Sequence, residues 1–152
     1  MDKIQSFTVN HLVLAPGLYI SRQDGDITTY DLRTKKPNTG DLMDHETMHT
    51  CEHMLATYIR NSSIGEDIIY FGPMGCQTGF YLLVRNAEHK KVIDTLKDCL
   101  KKVCDHKGDV FGNSEIECGN CRSLDLEKAK KQCAEYLKVM ENVSEDTLFY
   151  KI

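Results

Sequence analysis

Residues 17–33 read GLYISRQDGDITTYDLR. Ile, Tyr and Thr alternate roughly on either side of Asp24-Gly25, a dipeptide suited to the tight turn between two antiparallel strands. A hairpin is therefore expected here. After the polar stretch TKKPNTGD, residues 46–60 (ETMHTCEHMLATYIR) carry apolar side chains at helical spacing and stop at Asn61-Ser62-Ser63. Two further strands are expected at 67–71 and 76–85, separated by Gly72-Pro73-Met74-Gly75. A second helix over 88–105 places Val92, Leu96, Cys99, Leu100 and Val103 on one stripe. Residues 107–114 are a loop by composition, and a last helix is expected over 126–140, capped by Asp125. The order ββαββαα predicts an α+β fold, an antiparallel sheet with helices packed on one face.

The chain has 152 residues, of which 41% are hydrophobic and 28% charged, and this predicts one soluble domain over 1–152. A net charge of −4 offers no basic field for phosphates, so nucleic acid is not an expected partner. No window approaches the roughly 18 apolar residues of a membrane span, and MDKIQSFTVNHLVLAPG lacks the apolar run of a signal peptide. Seven cysteines, an odd number, point to the reducing cytoplasm, where thiols are free, catalytic or metal-bound.

On helix 46–60, Met48, Cys51, Leu55, Tyr58 and Ile59 share the arc expected to be buried. His49, His53, Ala56 and Arg60 fall on the neighbouring arc, with Glu52 between the two. Histidines at i and i+4 sit about one turn apart, the separation two imidazoles need to ligate one ion. Such a pair also occurs on ordinary solvated faces, but Ala56 leaves space above it where a solvated face would carry Lys or Glu. His45 lies two turns from His53 and is expected to be a surface residue. Glu52 is placed to exchange a proton near the ion without ligating it.

Two histidines need a third ligand. Cys51 and Cys99 lie on apolar stripes and read as core thiols, whereas Cys118, followed by Gly119 on a loop, is the expected partner, with Cys121 left free. Cys76 lies in GPMGCQTG, a turn that should set its thiol at a sheet edge, where a nearby cation would favour the thiolate. The alternative there is a small buried residue in a tight turn.

Taken together, SFTVNH at 6–11, RTKKPN at 33–38, HTCEH at 49–53, PMGCQTGFY at 73–81 and ECGN at 117–120 resemble the S-ribosylhomocysteine lyase (LuxS) family over nearly the whole chain. The resemblance implies a small α+β sandwich working as a homodimer with two active sites at the subunit interface. It implies one divalent metal per chain, Fe2+ replaceable by zinc or cobalt, held by His49, His53 and Cys118. It further implies conversion of S-ribosylhomocysteine to homocysteine and 4,5-dihydroxy-2,3-pentanedione, the autoinducer-2 precursor, by carbonyl migration and β-elimination without a redox cofactor. Cys76 would move protons early and Glu52 later. Ser6, His11, Arg33 and Arg60 match positions near the substrate; Arg60, on the metal face, would meet the homocysteine carboxylate, and the alternative for Arg33 is a surface arginine at a strand end.

Two positions depart from the family pattern. Tyr70 stands where many relatives carry an acidic residue, and Cys121-Arg122-Ser123-Leu124 replaces a tyrosine followed by R-D-H, placing a second thiol three residues from Cys118. The sequence also admits two rival readings. An inverted-motif zinc peptidase shares H-x-x-E-H but draws its third ligand from a distant glutamate. A structural or redox module would use Cys118 and Cys121 in a closed site.

Overall fold

The computed structural model describes residues 1–151. Strands β1 (Gly17–Asp24), β2 (Ile27–Arg33), β3 (Ile68–Pro73) and β4 (Gly79–Arg85) form one antiparallel sheet in the order β1-β2-β4-β3. Helices α1 (His45–Arg60), α2 (His89–Asp105) and α3 (Leu126–Met140) complete the expected ββαββαα order. Among the described residues, no helix is long and apolar enough to cross a membrane.

The first hairpin turns one residue later than expected. Asp24 pairs with Ile27, so the two loop residues are Gly25 and Asp26, and Gly25 takes φ +59. A register shift between Ile20 and Arg22 inserts an extra residue in β1, which absorbs the offset. The second hairpin is also displaced: β3 continues to Pro73 and β4 begins only at Gly79. Between them Met74 N–H donates to the Gly79 carbonyl and Gln77 N–H to the Met74 carbonyl, so Cys76 lies in the turn rather than in a strand. Gly79 admits no side chain, since a Cβ there would stand 2.7 Å from the Leu32 carbonyl oxygen.

Alternation sorts the strands into two faces. Leu18, Tyr30, Leu32, Phe80, Leu82 and Val84 face the helices and are buried against them. Alpha2 contributes Val92, Ile93, Leu96, Cys99, Leu100 and Val103, the expected stripe widened by Ile93, and α3 adds Ala129, Cys133, Tyr136 and Met140. Asp31, Arg33 and Tyr81 project from the opposite face of β2 and β4, beyond the helix layer.

The buried face of α1 differs from the expected arc. Cys51, Leu55 and Ile59 are buried as expected, but Met48 and Tyr58 are only partly so, and Thr47, Thr50 and Met54 are buried in addition. The reason is that α1 packs against β3, α2 and α3 together, which covers more than one arc. The threonines tolerate this because they are hydrogen-bonded: Thr50 Oγ1 donates to the Glu46 carbonyl at 2.7 Å and accepts from Asp125 N–H at 2.8 Å. Asp44 caps α1 by accepting from Thr47 N–H, and Asp125 caps α3 by accepting from Lys128 N–H.

Candidate metal and catalytic site

Helix α1 sets His49 and His53 side by side, with ring centroids 4.7 Å apart. The loop after α2 brings Cys118 to them, its Sγ 3.4 Å from His49 Nε2, and the candidate ligand atoms of all three lie within 4.8 Å of one another. Two ligands at about 2.3 Å (S) and 2.0–2.1 Å (N) from a tetrahedral ion stand about 3.5 Å apart, so the observed spacing fits a bound metal. Three residues converge, and none is a glutamate, which removes the inverted-motif peptidase reading.

The far nitrogens are tied down, as metal-ligating imidazoles require. His53 Nδ1 donates to the Phe111 carbonyl at 2.7 Å, leaving Nε2 with its lone pair. Ser123 Oγ donates to the Asn120 carbonyl, so it accepts from His49 Nδ1 at 2.6 Å, and the same tautomer results. Burial first, and then the neighbouring His53, hold the His49 pKa below its ordinary value, favouring the neutral form that ligates. Glu52, half-buried, opposes that shift through its charge, which places its carboxylate in the electrostatic neighbourhood of the pair. Gly112, at φ +68, leaves the room His53 needs: a Cβ there would approach Nδ1 to 3.2 Å.

His45 is exposed and reaches Ser123 Oγ through Nε2 at 3.1 Å, as a surface residue bordering the site. Neither Ser123 nor Phe111 carries a signal that marks it in the sequence. Their contacts to α1 span 74 and 58 residues and exist only in the folded chain. Cys51 and Cys99 are core thiols as expected, and all seven cysteines are free.

The other candidates gather elsewhere. A cavity of about 400 Å³ on the helix-free side is lined by Ser6, Phe7, His11, Arg33, Cys76 and Tyr81, among others, and by none of His49, His53 and Cys118. Cys76 is exposed, not a buried turn residue. Arg33 is 3% exposed, so it is no surface arginine: its Nη2 donates to Asp31 Oδ2 at 2.7 Å and its Nη1 to Thr78 Oγ1 at 2.8 Å. Burial opposes its charge, and the adjoining Asp31 carboxylate more than offsets this, so the guanidinium stays protonated. His11 Nδ1 donates to the Val9 carbonyl at 2.9 Å. Arg60 is the last residue of α1 and exposed, and it does not line this cavity. Tyr70 is half exposed on β3.

A four-stranded antiparallel sheet backed by three helices, with a His-His-Cys cluster formed by the first helix and the loop after the second, describes an α+β protein suited to hold one metal ion. A family model described as S-Ribosylhomocysteinase (LuxS) matches residues 4–147, and the chain belongs to that family. Relatives named S-ribosylhomocysteine lyase are similar over 99% of both chains: 43% identical in Desulfotalea psychrophila, 42% in Clostridium acetobutylicum and 41% in Finegoldia magna.

Proposed function

We propose that residues 1–152 act as one domain, a metal-dependent lyase that converts S-ribosylhomocysteine to homocysteine and 4,5-dihydroxy-2,3-pentanedione, the autoinducer-2 precursor. The observation that carries this reading is the convergence of His49, His53 and Cys118 with their outer nitrogens held, next to Glu52, in a chain of this family. The three would hold one divalent ion, Fe2+ by family resemblance, which when bound supplies Lewis acidity toward sugar oxygens and so acidifies the adjoining C–H bonds.

The chain's own groups then have defined tasks. The thioether at C5 leaves only when the carbonyl has moved from C1 to C3, so protons must leave C2 and return at C1, and leave C3 and return at C2. Cys76 Sγ is assigned the early transfers and the Glu52 carboxylate the later ones, including removal of the C4 proton as the C5–S bond breaks. Ser6, His11 and Arg33 share the cavity of Cys76 and would hold the substrate there. Arg60, at the exposed end of the ligand-bearing helix, is assigned the homocysteine carboxylate.

The working unit in this proposal is a homodimer with sites at the interface. Two observations support it. The Cys76 cavity contains none of the three ligands, and Ile4, Phe7 and Leu12 at the N-terminus are 58%, 69% and 81% exposed. Seven free thiols suit the reducing cytoplasm. The direct test is to incubate the metal-loaded protein with S-ribosylhomocysteine and assay the homocysteine thiol. Loaded protein that releases none would remove the proposal.

A further inference from the structure

A buried chain of donors runs along the helix-free face and ends at Cys76. Tyr150, its ring stacked on Tyr19 at 5.0 Å, donates its hydroxyl to Asp31 Oδ2 at 2.7 Å. Arg33 donates to the same oxygen and, through Nη1, to Thr78 Oγ1. Thr78 Oγ1 in turn lies 3.0 Å from Cys76 Sγ, and Arg33 Nη1 is 3.7 Å from that sulfur.

Arginine has only donors, so the Thr78 oxygen accepts from it, and the single Thr78 proton is free for Cys76 Sγ, which as a thiolate can only accept. Asp31 Oδ1 and Arg33 Nε remain buried without partners, an arrangement poor for stability. The ion pair is therefore better explained by what it holds than by what it stabilises.

We infer that Thr78 is a positioning residue: its hydroxyl, oriented by the Asp31-anchored Arg33, donates to the Cys76 sulfur and fixes it as an acceptor for substrate protons. This rests on the proposed role of Cys76 in proton transfer. The charged and titratable groups around the sulfur are Arg33 and Asp31 from β2, Tyr81 from β4, His11 from the N-terminal segment and Tyr150 from the C-terminal one. Burial first, then Asp31, raise the Tyr150 and Tyr81 pKa values, so both phenols stay neutral. The Thr78 main-chain carbonyl accepts from Thr34 and Lys35 N–H, so its backbone is held whatever the side chain.

The test compares Thr78→Val and Thr78→Ala, which lack the hydroxyl, with Thr78→Ser, which keeps it. Iodoacetamide alkylation of Cys76 is followed by peptide mapping from pH 5 to 9, beside kcat and KM on S-ribosylhomocysteine, metal content and thermal unfolding. The hydroxyl-free variants should move the alkylation profile to higher pH and slow it about five-fold at the wild-type midpoint, because a donor to the charged sulfur is gone. Their kcat should fall with KM within about two-fold, with metal content unchanged, and Ser should restore both. Two variants of different size guard against one failing to fold. Wild-type alkylation profiles in a folded Val or Ala variant, beside an active wild type, would overturn the inference. A wild type that releases no homocysteine while the profiles still shift would instead overturn the proposed function and leave Thr78 oriented on the sulfur.

Discussion

Cys118 Sγ lies 3.4 Å from His49 Nε2 across 69 residues of chain. That is the spacing of two ligands about one ion, and it arises because Ser123 and Phe111 fix the imidazoles while the 106–120 loop carries the thiol back to α1.

Replacing one ligand should therefore empty the cluster. His53→Ala is expected to fold, since His53 is only half-buried, and to lose bound metal. Elemental analysis of the purified variant decides it: full stoichiometry would move the metal away from α1.

Gly112→Ala touches no ligand yet should weaken the site. It adds a Cβ 3.2 Å from His53 Nδ1 at a position with φ +68, crowding the ring out of its hydrogen bond with Phe111. Changes of this outer kind typically cost about 10- to 100-fold in metal affinity. Competition with a chromogenic chelator measures it, and an unchanged affinity would show that the loop simply yields.

Glu52→Gln preserves shape and cannot exchange a proton. It should keep metal and fold while homocysteine release falls about 10²- to 10⁴-fold, the usual contribution of a general acid/base. A rate within about three-fold of wild type would leave Glu52 a purely electrostatic neighbour of His49.

Cys76 should be the fastest thiol toward iodoacetate outside the ligand loop, because it is exposed, whereas Cys51 is buried and burial pushes the Cys99 thiol up to about 11. Substrate should protect it. Cys76→Ser should retain metal but not turnover; release at a comparable rate would reduce Cys76 to a turn residue.

If the ion of one subunit works with Cys76 of the other, two dead variants should complement. Mixing Cys76→Ser with His53→Ala gives hybrid dimers in which one site of two is intact, so activity should return after exchange of subunits. Sedimentation reports the dimer itself, and a hybrid that remains inactive would place both groups in one chain.

The elements and half of the site were legible in the sequence because their signals are local. Hydrophobic spacing set α1, α2 and α3 to within a residue, and His49, Glu52 and His53 declare themselves on one helix because a helical turn brings i and i+4 together whatever surrounds it. Turn positions were less legible: the β1–β2 loop shifted by one residue and β4 began at Gly79, since register depends on cross-strand pairing and not on the turn dipeptide alone. The rest belongs to tertiary structure. The family motifs singled out Arg33, yet only the fold buries it beside Asp31 and turns it toward Thr78, 45 residues away. Ser123, Phe111 and Gly112 hold or clear the histidines through contacts that no local pattern encodes. Periodicity acts over a few residues, whereas bringing a carbonyl or a thiol to a ring dozens of residues distant is decided by how the sheet, the three helices and the loops between them pack.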